Sequence, residues 1–413
     1  MKKNKILLAI ADGLGDRPVE CLGGKTPLEY AKKPTLDAIA SNGSSGIMDL
    51  YKMGTPVGTD LGHMLLFGYE YSDYPGRGPI EAFGEGLELQ AGDVAFRANF
   101  ATVDAEFSVV DRRAGRIRNK TVELAAALNG MQIEDVTVIF KEATEHRAVL
   151  ILRGPGLSQE ISDTDPKIEG VKYKEAKAKD ANPAAEKTAR ILNQFLLNAN
   201  EILLGHLVNK EREARGEMPA NFILTRGAGI MPNLRKTADD LKIKAACVAA
   251  ESTVLGVARL AGIKPLTDSR FTGNMDTDIV LKAKTAVEAL KENDFVVLHF
   301  KSTDLMGHDN DPEGKVKAVE IFDDMLSHVI KGIESMEDNI IVALGSDHST
   351  PCERREHSGD PVPVVISGKN IRKDDVTTYD EIAAAKGGLN RISANMFFNY
   401  LMDYLEATKK KGN

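Results

Sequence analysis

The chain has 413 residues, with 53 Lys and Arg against 61 Asp and Glu, for a formal net charge of −8. A hydrophobic fraction of 42% and a charged fraction of 28% exclude a mainly disordered chain, and the length suits two domains. Net acidity argues against a general nucleic-acid binder, which needs a basic face to displace counterions. Cys21, Cys247 and Cys352 are too dispersed for a disulfide framework or a cysteine zinc site, so a reducing cytoplasm is expected.

The basic start MKKNK followed by an apolar run has the outline of a signal peptide. The run Ile6–Ala11 ends on Asp12 after six residues, which suits a buried strand better. Nowhere does an uncharged apolar stretch reach the roughly 18 residues that span a bilayer, so a soluble chain without a membrane partner is expected. Next, PVGTDLGHMLLFGY (56–69) leads into a helix with Thr59 placed as its N-cap. Val136–Phe140 and Ala148–Leu152 read as a strand pair, 162–183 as a polar link, and Ala184–Leu204 as a long amphipathic helix. Helices at Ile279–Leu290 and Val316–Met336 then alternate with short apolar strands at Phe295–Phe300, Ile340–Leu344 and Pro363–Ile366. A helix near Ser393–Glu406 ends the chain.

Strands alternating with helices predict an α/β fold, a mainly parallel sheet covered on both faces, with ligands outside the carboxyl ends of the strands. The different character of the middle predicts an inserted smaller α+β domain at 86–229, within an outer domain built from 1–85 and 230–413.

The chemistry concentrates at those strand ends. Asp304 and His308 occur in STDLMGHDN, Asp347 and His348 in GSDHSTP, and His357 in REHSGDP. Each cluster follows an apolar strand, and mixed carboxylate and imidazole donors suit Mn²⁺, Zn²⁺, Fe²⁺ or Mg²⁺. Asp304 and His308, four apart, share one face of a helical turn. Taken singly, each is an ordinary cap or polar residue; taken together they predict a metal site, to which Asp12 adds a carboxylate. Thr59, at the positive end of a helix, is either a plain cap or a hydroxyl nucleophile. His63, one turn on, is a substrate contact or simply a polar helix residue.

The middle region supplies cations: Arg77, Arg97, Arg113, Arg116, His146, Arg147 and Arg226. Guanidinium groups match phosphate and carboxylate bidentately, which predicts a pocket for a small acidic substrate, with surface solvation and salt bridging accounting for some of these cations.

In order along the chain, ADGLGDRP, PGRGPIEAFGEGL, DVAFRANFAT, DRRAGRI, EHRAVL, TRGAG, TDLMGHDN, SDHSTPC and HSGDPVP carry a close likeness. The sequence resembles the archaeal-type 2,3-bisphosphoglycerate-independent phosphoglycerate mutases of the alkaline phosphatase superfamily, over nearly its whole length. The resemblance implies an alkaline-phosphatase-like fold and interconversion of 3-phosphoglycerate and 2-phosphoglycerate in glycolysis and gluconeogenesis. It implies two divalent metals, Mn²⁺ foremost, with Mg²⁺, Zn²⁺ or Co²⁺ as substitutes. Carried over, Asp304, His308 and His357 hold one metal; Asp12, Asp347, His348 and the oxygen of Thr59 hold the other. Thr59 is then the catalytic nucleophile, passing through a phosphothreonine, and the cations of the inserted domain retain the glycerate.

The family's usual serine is replaced here in Gly58-Thr59-Asp60, and the added methyl crowds the hydroxyl. That departure keeps a second function in view, a metal-dependent phosphohydrolase or phosphotransferase acting on another small phosphorylated metabolite. A third, a non-catalytic sensor of such metabolites, is the weakest, since every expected ligand is present. A homo-oligomer is compatible with all three.

Overall fold

The computed structural model describes residues 4–231 and 234–412. The chain divides into two compact units, Met1–Tyr74 with Arg235–Asn413, and Pro75–Leu234. The second thus starts before the 86 expected from composition. The reason is local: the helix Arg77–Gly84 lies on the strand Val94–Val103, and a Cβ on Gly78 would stand 2.0 Å from the Ala95 carbonyl oxygen.

The first unit holds an eight-stranded sheet. From one edge its strands are Lys264–Leu266, Ala245–Val248, Phe295–Phe300, Asn4–Ala11, Asn339–Gly345, Val362–Ser367, Gly43–Asp49 and Asn390–Ser393. All neighbours run parallel except Val362–Ser367, which is antiparallel to both of its own. The Phe295–Phe300 strand is buried throughout, as a continuous apolar run must be when both faces are covered. Val296, Leu298 and Phe300 pack with Ala286 and Phe322 from the helices Ile279–Glu292 and Pro312–Ile333. Phe295 and His299 point the other way, toward Phe398 of the Ala394–Tyr404 helix and His63 of the Thr59–Leu66 helix. Helices therefore cover both faces of this mixed α/β sheet.

The register matters for the chemistry. Ile10 pairs with both His299 and Gly345, and Ala11 with Phe300. Asp12, Lys301 and the Ser346–Thr350 segment therefore leave the sheet at one level. The helix Ser302–Asp309 follows the Phe295–Phe300 strand immediately.

The second unit is built on antiparallel strands. Val94–Val103 is flanked by Arg147–Arg153 and Phe222–Ile230, and Val136–Glu142 pairs with Arg147–Arg153. The helix Pro183–Gly205 has Asn182 as its cap, the side chain accepting from the Ala184 amide, and presents Ile191, Phe195 and Leu203 to this unit's core. Among the described residues, no helix is long and apolar enough to cross a membrane.

Candidate metal centre

Asp12 is fully buried at the end of the first strand. Its Oδ2 accepts from His299 Nε2 at 2.9 Å and its Oδ1 from Lys301 Nζ at 3.0 Å, with His348 Nε2 3.3 Å from Oδ1. Burial alone would raise this carboxyl; the Lys301 ammonium, with His299 and His348, overrides burial and holds it well below the carboxylate range. Gly13 follows with φ +61°, and a Cβ there would meet Asp304 Oδ1 at 2.6 Å. The Asp12-Gly13 turn brings the first strand against the next cluster.

Asp347 and His348 are also fully buried. Asp347 Oδ1 accepts from the Gly13 amide at 3.2 Å, while Oδ2 has no hydrogen-bond partner. His348 Nε2 lies 3.2 Å from that Oδ2 and 3.2 Å from Thr59 Oγ1. Burial opposes a charged His348, yet Asp347 and Asp12 push its pKa up to about 10. The carboxylates thus recruit a proton onto an imidazole, the demand for positive charge that a metal cation would answer. Asp12, Asp347 and His348 form one potential ligand group, their donor atoms within 4.8 Å of one another.

Thr59 is the first residue of the helix Thr59–Leu66. This corrects the expected N-cap: Gly58 occupies the cap, because the Thr59 hydroxyl is turned toward His348 rather than back over the amides. His63, one turn on, is fully buried and donates from Nδ1 to the Thr59 carbonyl at 2.8 Å.

The second group lies beside the first. Asp304 Oδ1 is 3.4 Å from His308 Nε2 and 3.7 Å from His357 Nε2, and the two imidazole nitrogens are 3.2 Å apart. Each ring is fixed from behind. His308 Nδ1 donates to the Arg355 carbonyl at 2.9 Å, and His357 Nδ1 to the Val57 carbonyl at 2.8 Å. In neutral rings those bonds leave both Nε2 atoms as acceptors, facing one another next to the Asp304 carboxylate. No donor separates them, which is the arrangement of imidazoles prepared for a shared cation. With Asp347 Oδ2, which makes no hydrogen bond and lies 3.2 Å from His348 Nε2 and 3.4 Å from His63 Nδ1, this donor chemistry fits a divalent metal. Glu356 offers a further, exposed carboxylate near His308 and His357.

All seven residues expected to hold metal, Asp12 and Thr59 included, are thus brought to one end of the sheet. A profile of the 2,3-bisphosphoglycerate-independent phosphoglycerate mutases matches residues 40–209. The mutase 1 of that description from Methanothermobacter thermautotrophicus is 45% identical over 413 residues, covering 99% of this chain and 100% of the relative. Its counterpart from Methanocaldococcus jannaschii is 45% identical, covering 100% of both. The chain belongs to this family. Two solved structures are similar over all or nearly all of the chain. A Pyrococcus horikoshii protein shares 38% identity with a TM-score of 0.87, covering all of both chains. The cofactor-independent phosphoglycerate mutase of Thermoplasma acidophilum shares 34% with a TM-score of 0.72, covering 98% of this chain and 100% of that one.

The second unit of this mutase-family chain carries the expected cations. Arg97 is buried in the Val94–Val103 strand, with Arg226 paired across from it in register. Glu81 Oε1 accepts from Arg77 Nε at 3.1 Å and from Arg97 Nη1 at 3.4 Å. Burial lowers the Arg97 pKa to about 9; Glu81 opposes this, and Arg77, Arg226 and Arg147 add to it. His146 is lowered to about 4 by burial, then by Arg147 and Arg113. Asp165 beside Arg226 and Glu145 beside His146 join Glu81, yet the guanidinium groups of Arg77, Arg97, Arg113, Arg147 and Arg226 outnumber these carboxylates, an excess of positive charge that an anion would relieve. Arg116 lines a different feature, a cavity of about 660 Å³ shared with Arg118, Lys120 and Arg212.

Besides Glu356, the cluster holds His299, Lys301 and Thr350, which were not expected from the sequence; the Thr350 hydroxyl lies 2.6 Å from Asp304 Oδ1 and 3.0 Å from His348 Nδ1. Lys301 Nζ bridges Asp12 Oδ1 at 3.0 Å and Asp304 Oδ2 at 2.6 Å, one carboxylate from each ligand group. Its signal was its position, three residues before Asp304 at a strand end.

Proposed function

We propose that this chain interconverts 3-phosphoglycerate and 2-phosphoglycerate without 2,3-bisphosphoglycerate, with Thr59 carrying the phosphoryl group between the two. Family membership supports the overall isomerisation. The observation that carries the role of Thr59 is its hydroxyl at a helix start, 3.2 Å from a histidine of the buried Asp12–Asp347–His348 group.

In the first half of the reaction, Thr59 Oγ1 forms a bond to phosphorus as the bond to the substrate's 3-oxygen breaks, and the hydroxyl proton ends on the glycerate. The helix start favours negative charge growing on Oγ1. In the second half, the 2-oxygen of the retained glycerate forms a bond to phosphorus as the Thr59 Oγ1–phosphorus bond breaks, and the proton of the 2-hydroxyl returns to Oγ1. Asp12, Asp347, His348 and the Thr59 hydroxyl would hold one divalent cation, and Asp304, His308 and His357 a second, with Mn²⁺ the best candidate. Such cations supply Lewis acidity toward phosphoryl oxygens and lower the pKa of a bound hydroxyl. Lys301 keeps Asp12 and Asp304 from repelling one another. Arg77, Arg97, Arg113, Arg147, Arg226 and His146 supply the anion binding that keeps glycerate in place. A site that let glycerate leave would hand the phosphoryl group to water and act as a phosphatase.

The test is incubation of Mn²⁺-loaded protein with 3-phosphoglycerate and no bisphosphoglycerate. Formation of 2-phosphoglycerate without stoichiometric inorganic phosphate is expected. Stoichiometric phosphate release would replace this reading with a hydrolase.

A further inference from the structure

The Phe295–Phe300 strand is apolar except at His299, which is fully buried with its ring edge-on to His63 at 5.1 Å between centroids. Leucine or methionine would fill such a position without burying a polar atom. His299 uses only one of its nitrogens: Nε2 meets Asp12 Oδ2 at 2.9 Å, while Nδ1 is buried and unpartnered. A buried histidine ordinarily pairs its nitrogens, and one that does not calls for an explanation. One that pairs only toward a carboxylate, and leaves the other atom unsatisfied, is held there by what it does to that carboxylate.

We propose that His299 is a positioning residue for the metal centre. Its Nε2–H fixes Oδ2 of Asp12 and so turns Oδ1 toward His348, whose Nε2 is 3.3 Å away. Three features make the lock rigid. Lys282 Nζ donates to the His299 carbonyl at 3.1 Å from behind. Strand pairing with Ile10 sets the backbone two residues from Asp12. The His63 ring closes the side of the pocket, itself anchored on the Thr59 carbonyl. The inference rests on Asp12 being a metal ligand. His299 lies outside the ligand groups and acts through Asp12 alone, in the way that outer hydrogen bonds orient ligating side chains elsewhere.

The experiment compares His299→Gln with His299→Met, side chains of similar length of which only glutamine keeps a donor in the place of Nε2. Mn²⁺ is titrated into the metal-free full chain without substrate, and free Mn²⁺ is followed by its paramagnetic resonance signal. H299M is expected to weaken one class of Mn²⁺ site about 10–100-fold, H299Q by no more than about threefold, and neither to lower the Tm of the metal-free protein. Equal affinities for the two variants would overturn the proposal, whether both match the unaltered chain or both fall. Should a variant not fold, the unaltered chain labelled with ¹⁵N-histidine decides: His299 is expected protonated at Nε2, and protonation at Nδ1 instead overturns the idea. If the unaltered chain binds no Mn²⁺ at all, it is the metal reading that fails, and the positioning role goes with it.

Discussion

Thr59 Oγ1 and His348 Nε2 lie 3.2 Å apart, across 289 residues of sequence. This contact joins the start of a helix to the end of a central strand. In the proposed reaction, removing the hydroxyl removes the atom that takes the phosphoryl group. Thr59→Ala is therefore expected to lower kcat by at least about 10³-fold, with Mn²⁺ affinity reduced and the fold retained. Thr59→Ser keeps the oxygen and discards the methyl, and should hold kcat within about tenfold of the parent. An enolase-coupled assay reads both, and mass spectrometry of acid-quenched protein should find phosphate on the peptide holding residue 59. Full activity in the alanine variant would remove Thr59 from the mechanism.

The Nε2 atoms of His308 and His357 face one another over 3.2 Å beside the Asp304 carboxylate. That geometry is unfavourable without a cation, so metal removal should reach stability as well as rate. Treatment with EDTA is expected to abolish activity, and Mn²⁺ to restore it. Calorimetry should show Tm rising with Mn²⁺, the gain reaching about 2.7 kcal/mol at a hundredfold excess over Kd. A Tm indifferent to Mn²⁺ would contradict the donor arrangement described here.

Much of this candidate centre was legible in the sequence because its candidate ligands sit where apolar strands stop. Asp12, Asp304, Asp347 and His348 each follow a buried run, and open α/β sheets converge at those ends. His299 was not legible, because inside FVVLHF nothing shows which face its ring takes until the pairing with Ile10 is known. The strand Gly43–Asp49 was missed for a related reason. Its GSSG start lacks the branched residues that mark strands, yet a Cβ on Gly43 would stand 2.4 Å from the Ile366 carbonyl oxygen, so close packing excludes them. Val94–Val103 was read for its arginine rather than as the strand at the heart of the second unit. The tertiary pairing that makes it one lies about 50 and 125 residues away.

Gly62 shows the same close packing inside the site. It lies in the Thr59–Leu66 helix, where alanine would ordinarily stabilise by about 1 kcal/mol. Here a Cβ would fall 2.3 Å from the Asp347 carbonyl oxygen, so the helix must move off the strand end. Gly62→Ala is thus expected to destabilise by about 1–3 kcal/mol and to weaken Mn²⁺ binding, since Thr59 and Asp347 separate. Urea unfolding and metal titration check the two effects. A stabilised variant with unchanged Mn²⁺ affinity would show that the contact yields freely.

Arg97 is buried among other guanidinium groups with Glu81 as its nearby carboxylate. If these cations retain glycerate, shortening Arg97 should alter the partition of the phosphoryl group. Arg97→Met is expected to raise KM for 3-phosphoglycerate about tenfold or more and to increase the inorganic phosphate released per turnover. Simultaneous assay of 2-phosphoglycerate and phosphate decides the matter. A lowered kcat with unaltered KM and no added phosphate release would assign Arg97 to the framework of its own unit.

Away from the metal centre, Glu381 provides a clean dependence on pH. Its Oε1 accepts from the Asp16 amide at 3.1 Å and its Oε2 from the Thr26 hydroxyl at 2.8 Å. Burial nevertheless dominates, and raises the carboxyl to about 7 against those hydrogen bonds. The folded chain therefore keeps this proton up to about pH 7, whereas the unfolded chain releases it near 4.5. The stability that Glu381 contributes is complete below the lower value and is lost as pH rises through the upper one. Glu381→Gln is neutral throughout and cannot lose it. The variant should match the parent at pH 4 and exceed it at pH 8, by at most roughly 3 kcal/mol and by less as water reaches the group. Urea unfolding of both proteins in EDTA at the two pH values measures the difference. A gap that does not widen with pH would mean that the carboxyl is already ionised in the fold, with the Thr26 and Asp16 hydrogen bonds outweighing burial.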